Sequence, residues 1–167
     1  VPGGGNYITE DLDTWLIEPL SILFKLNNGY LRQNQQFRAA LEREAAILAA
    51  RKCTPLDAAE LWVILARLDA AEDEKIRGEL DRELHKKIAK IADNPMVYSV
   101  LAAADQLTES IVSGTRDYIM KKNNSAREVD DQHHRLVEAI INGDAERCMS
   151  EHMDTIERYM EEMQKKS

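Results

Sequence analysis

Cysteine is nearly missing from these 167 residues: Cys53 and Cys148 are the only two, far apart and outside any C-x-x-C arrangement. That excludes a disulfide-stapled scaffold and fits reduced thiols packed as small apolar side chains. Aromatic residues make up only 5% of the chain. No apolar run approaches the roughly 20 residues of a membrane span, the longest being stretches such as AAILAA at 45–50, and no charged-then-apolar leader is seen. A cytoplasmic protein without a membrane partner is therefore expected. Positive charge is in deficit as well, with 22 Lys and Arg against 30 Asp and Glu, a net charge of -8 and a pI near 5.1. Such a field repels phosphate, which makes nucleic acid a poor partner for this segment.

Strand-like alternation is also lacking, and what is present instead is helical periodicity. Glycines cluster in VPGGGN at 1–6, which cannot form a helix interior and reads as a linker or hairpin. From Thr9, with Glu10 and Asp11 behind it, Trp15, Leu16, Leu20, Leu23 and Phe24 recur at helical spacing to about residue 27, where NNGY at 27–30 makes a turn. Phe37, Leu41, Ala45, Leu48 and Ala49 predict the stripe of a second helix ending near Lys52. Thr54-Pro55-Leu56-Asp57 is a cap with proline in the first turn, opening a third helix through Leu61, Ile64, Leu65 and Leu68. A fourth runs from about Glu74 to Ala92, and Asp93-Asn94-Pro95 separates it from a fifth, Met96 to about Lys121. Asn123-Asn124-Ser125 caps a sixth, and Asn142-Gly143-Asp144 is expected to stop it and cap a seventh. With 31% charged residues the reading is an all-α antiparallel bundle of six to seven helices whose outer faces are solvated.

The histidines stand out against this plain background. Asp81 and His85, four apart in LDRELHKKIAKIA, project from one helix face one turn apart, so both can grip one ion. His133 and His134 are separated by about 100° around their helix, and only one can point inward. Leu136, Val137 and Ile140 follow His133 at +3, +4 and +7, which places His133 on the buried stripe and His134 toward solvent. His152 lies on the seventh helix with Met149, Ile156 and Met160. Three imidazoles and a carboxylate suit one borderline divalent ion, with zinc first and nickel or manganese as alternatives, leaving open positions for water or a ligand. A hydrolytic metal enzyme would need a general base beside the open position. The nearest acid, Glu83, projects about 200° away from Asp81. The paired Glu-x-x-His motifs of a di-iron bundle are missing.

Several stretches together resemble the ligand-binding C-terminal FCD domain of GntR-type bacterial transcription regulators of the FadR subfamily. FRAALEREAAILAARKCTPLDAAEL at 37–61 resembles that family's arginine–leucine–glutamate helix and its threonine-initiated successor. DRELHKKIAKIADNP at 81–95 is similar to its D-x-x-F-H…N motif with Leu84 for the aromatic, and HHRLVEAIINGD at 133–144 resembles its histidine helix and turn. AERCMSEHM resembles the last ligand helix, although the chain between Asp144 and His152 is shorter than the pattern by nearly a turn.

The resemblance implies metal ligation by Asp81, His85, His133 and His152, and a pocket-facing Arg38 that pairs with a small organic acid whose carboxylate completes the ion's coordination. It implies a non-enzymatic, effector-sensing role, a homodimer, and DNA contact only through a winged-helix domain N-terminal to this chain. GGGNYI at 3–8 resembles the end of that domain's wing, so residues 1–8 read as a wing remnant or linker and 9–167 as the effector domain. A metal-dependent hydrolase of a small substrate, or a metal-free domain for a larger acyl ligand, are the competing readings. For Arg38 the competing partner is Glu42, one turn on, in a pair worth only ~0.3–0.5 kcal/mol.

Overall fold

The computed structural model describes residues 16, 18–22, 31–122 and 125–165. Six helices are bounded within them: α1 (Leu31–Lys52), α2 (Pro55–Ala70), α3 (Glu74–Ile91), α4 (Pro95–Lys121), α5 (Ser125–Asn142) and α6 (Glu146–Gln164). Residues 16 and 18–22 are helical too, inside the segment expected at 9–27. The rest of that segment, the start at 1–8, the NNGY turn and the Asn123-Asn124 cap lie outside the described residues. No strand occurs among the described residues, and the fold is all-α. No described helix is long and apolar enough to cross a membrane.

Local chemistry sets most helix ends. Thr54 and Asp57 form a reciprocal capping box at the start of α2, with Pro55 in the first turn, where its missing N–H is no loss. Asp73 accepts from Ile76 N, and Asn94 accepts from Met96 N and Val97 N ahead of Pro95. At the end of α5, Gly143 adopts φ 87°, its N–H bonds Ile140 O, and Asp144 N reaches back to Ala139 O at 2.9 Å. This is a Schellman closure, which a side chain at Gly143 would strain. The expected cap on the next helix by Asp144 is not made. The cap position of α6 is Ala145, with no side-chain hydrogen bond, because the Asp144 backbone is committed to closing α5.

Helix α1 is the hub, touching α3, α4, α5 and α6. It buries two stripes. Ala39, Ala46 and Ala49 join Leu61 and Leu65 of α2, Leu84 and Ile88 of α3, Leu136 and Ile140 of α5 and Met149 of α6 in the main core. Each fully buried Leu or Ile there stabilises by about 1.5–3 kcal/mol. Ala45, with Leu41 and Leu48 beside it, meets Ala89, Ala92, Val97 and Leu101 in a second cluster. Alanine fills the main-core stripe because a hub with four neighbours has little room beyond Cβ there, while the second stripe sets Ala45 between Leu41 and Leu48. Phe37 was expected on the apolar stripe but is 40% exposed. The stripe that carries the main core runs Gln35, Ala39, Glu42, Ala46, Ala49, and its two polar members hide it from a hydrophobicity reading.

Candidate metal centre

Three helices deliver one histidine each to the same point. On α3 the buried face carries Leu80, Leu84, His85 and Ile88; on α5 His133 continues the stripe of Leu136, Val137 and Ile140; on α6 His152 lies between Met149 and Met153. The ring centroids are 5.7 Å (His85–His133), 5.2 Å (His85–His152) and 4.7 Å (His133–His152) apart. One nitrogen from each ring falls within 4.8 Å of the others, so the three together could hold a metal ion. His133 and His152 are 1% and 2% exposed.

Two rings are oriented from behind. His85 Nδ1 donates to Glu42 Oε2 at 3.1 Å, and Glu42 is itself buried on α1. His152 Nδ1 donates to Gln132 Oε1 at 3.2 Å, while Gln132 Nε2 donates to Thr155 Oγ1 at 2.8 Å, which fixes the amide with its oxygen toward the ring. In both cases Nε2 is left free of that bond, the arrangement in which an outer hydrogen bond selects the tautomer and raises the ring's basicity toward an ion. His133 tests whether an ion suits the cluster. Both its ring nitrogens are buried without a hydrogen bond, and although Nε2 is 3.0 Å from Asp81 Oδ1, the two lack hydrogen-bond alignment. Two donors each ~2.1 Å from one ion sit about 3.0–3.4 Å apart at ordinary coordination angles, so an ion relieves an orphaned imidazole that the protein alone does not satisfy. Asp81 joins the group through His133, whereas the mutual 4.8 Å grouping consists of the three histidines.

The charges around the cluster are strongly coupled. Burial would push the Asp81 carboxyl up, but His133, His85 and Arg116, whose Nη1 is 3.7 Å away, hold it well below the usual carboxylate range. Burial also disfavours charge on His85, yet Glu42 outweighs it and raises the ring to about 9. Glu42 is lowered in turn, its desolvation overcome by His85. His152 falls well below the ordinary histidine value, first through burial and then through its neighbouring rings, which favours the neutral ring.

A cavity of about 80 Å³ opens beside the cluster, with His85, His152, Asp81, Arg38, Arg116 and Asp105 among its lining. Arg38 is 13% exposed and sits 2.8 Å from Asp105 on α4 and 3.6 Å from Glu42, so the intrahelical partner expected from sequence is the more distant of two. His134 turns outward, as its spacing predicts, and meets Asp69 at 3.0 Å. Glu83 is exposed and pairs with Arg67 at 2.9 Å. Cys53 and Cys148 are free thiols packed at the edge of the main core. Glu42 as partner of His85, and Gln132, Thr155, Asp105 and Arg116, were not anticipated. Gln132 and Thr155 carried one usable signal: each lies within three residues of a candidate ligand on its buried side.

Over 165 residues, 95% of its length, the chain is 25% identical to proteins bearing the name L-lactate dehydrogenase operon regulatory protein from Escherichia coli (strain K12) and Shigella flexneri. It spans 64% of the length of those relatives. No solved structure matches. The FCD domain family model matches residues 35–165, a stretch that begins at the buried Gln35 of α1, takes in the three clustered histidines and Asp81, and ends with α6. The chain therefore belongs to the FCD domain family.

Proposed function

We propose that this chain is the effector-sensing domain of a cytoplasmic bacterial transcription regulator of the GntR type, in which Asp81, His85, His133 and His152 hold one divalent ion and a small organic acid binds beside it. The observation that carries the reading is the buried, externally oriented histidine cluster opening directly onto a cavity that also contains Arg38. Imidazole and carboxylate donors favour zinc, with nickel or manganese compatible. When bound, the ion supplies open coordination positions for an anionic oxygen. Arg38 offers a second, bidentate anchor for carboxylate. The cavity accommodates about five to eight water-sized groups, which suits a small acid. Residues 1–8 belong, in this reading, to a linker from a winged-helix domain that reads DNA as a dimer, and acid binding alters how two such domains are placed; a coupling of about 1–3 kcal/mol is enough for useful induction.

Hydrolysis is the weaker reading because the nearby acids are already engaged: Glu42 with His85, Asp105 with Arg38, Asp81 with His133. A general base needs a free carboxylate or imidazole within reach of the attacking water. Metal analysis of the purified chain tests the proposal. One equivalent of ion is expected, lost in Asp81→Ala and in His85→Ala while helical circular dichroism persists, and a chain that retains no ion overturns it. With zinc present, a carboxylate at 100 times its Kd should stabilise the chain by about 2.7 kcal/mol, a shift that disappears in Arg38→Ala.

A further inference from the structure

The cavity beside the histidines has two unlike ends, and three helices change character in the same direction along it. On α6, His152 is followed at four-residue intervals by Ile156 and Met160, all three lining the cavity over a length of about 12 Å. On α5, Val129 lies one turn before His133 and lines the cavity as well. It shares an apolar cluster with Ile119, Ile156 and Tyr159, so the start of α5 and the later turns of α6 occupy one end of the bundle. On α4, Ile119 and Met120 follow one turn after Arg116, which faces Asp81. Val129, Ile119 and Met160 are each no more than 6% exposed. Most of the charged lining lies at the other end, Arg38 with Asp105 and Arg116 with Asp81, while Asp130, beside Val129, lines the cavity with both carboxylate oxygens held by Arg77 at 2.7 and 2.8 Å.

We infer that the acid taken by this site is a short-chain aliphatic carboxylate, its head at the histidine cluster and Arg38 and an unbranched or branched tail of up to about five carbons between Val129, Ile119, Ile156 and Met160. This rests on the proposed acid-binding reading and narrows it. Hydroxyls along the tail, as in a sugar acid, would meet mainly apolar side chains, since Asp130 and Gln35 of the lining are already bonded to Arg77 and Met153, and each hydroxyl left without a partner weakens binding. Every methylene added to the tail instead removes apolar surface from water and tightens binding about fourfold until the cavity is full.

Isothermal titration of the zinc-loaded 167-residue chain with acetate, butyrate, hexanoate, lactate and gluconate separates these cases. The expected order has butyrate and hexanoate binding at least tenfold more tightly than acetate, and gluconate weakest. Lactate or gluconate binding as tightly as hexanoate overturns the tail assignment while leaving acid sensing intact. If none of the five binds, the sensing reading fails and the tail with it. Met160→Gln and Ile156→Thr, each first shown to be helical and zinc-loaded, should weaken hexanoate at least fivefold and leave acetate within twofold. Unchanged hexanoate affinity in both variants counts against the inference.

Discussion

Replacing Gln132 with leucine isolates a residue that touches no proposed ligand atom and yet should govern the ion. Leucine keeps approximate volume at a site 6% exposed, so packing is largely conserved, but the acceptor for His152 Nδ1 at 3.2 Å is gone. The ring is 2% exposed, and no water replaces the lost partner cheaply. A buried N–H left without an acceptor costs about 1–3 kcal/mol, which at 1.36 kcal/mol per decade is roughly a fivefold to hundredfold loss of metal affinity, the range found when outer-shell partners of metal-binding histidines are removed. Zinc affinity measured by competition with a chromophoric chelator should fall about tenfold. Thr155→Val removes the acceptor that pins the amide at 2.8 Å and should weaken zinc by less, and the double variant should lose less than the sum, because both act through one ring. Gln132→Glu retains an acceptor and should hold affinity at or above the parent. Affinity within twofold of the parent in folded Gln132→Leu would refute the reasoning.

Four further outcomes are expected. Leu84→Ala empties a completely buried position in the main core and should destabilise by about 2.7–5 kcal/mol in urea titration. Gly143→Ala forces a Cβ onto φ 87° and should cost about 1 kcal/mol, visible as a lower Tm with the metal site unaltered. Asp57 is drawn from 3.8 to about 2, chiefly by Lys87 and then by Thr54, so its contribution is complete above pH 3.8 and disappears as the pH falls through about 2. Asp57→Asn should therefore cost about 1 kcal/mol at pH 7, and its stability curve should converge on the parent's toward pH 2. His134→Ala should retain one equivalent of ion, as its Asp69 pairing is peripheral; loss of metal would reverse the assignment of His133 and His134.

Helix positions were legible where capping chemistry is local. Thr54-Pro55-Leu56-Asp57 and Asp93-Asn94-Pro95 announce helix ends because the groups that satisfy each other are neighbours in the chain. The turn at Asn142-Gly143-Asp144 was half legible: the glycine marks the stop, but one backbone N–H cannot close α5 and leave Asp144 positioned to cap α6. On α1 the periodicity reading selected Phe37 and the Leu41 stripe because Gln35 and Glu42 interrupt the other with polar residues. Those interruptions exist because that face meets the histidine cluster and its cavity. Asp81, His85 and His133 could be nominated from spacing within single helices. Glu42, Asp105 and Arg116 act across helices, and nothing in their own neighbourhoods distinguishes them from solvated surface residues; Gln132 also acts across helices and is marked only by its place beside His133.

The ion pair between Arg38 and Asp105 has a mechanical meaning beyond its place in the cavity wall. An acid that took the place of Asp105 on Arg38 Nη2, where the carboxylate sits at 2.8 Å, would exchange one charged contact for another of similar strength. The net gain in affinity from that exchange is small, but its two sides are not equivalent, since Asp105 is carried by α4 and a ligand by neither helix. Exchange would convert a strap between α1 and α4 into a contact with a diffusible molecule, leaving those two helices joined by the apolar cluster of Leu41, Ala45 and Leu48 with Val97 and Leu101. If the proposed acid binds this way, its hold on Arg38 and the loss of the ion pair between α1 and α4 are one displacement, and an Asp105→Asn chain, already without that pair, would change less between its empty and occupied states.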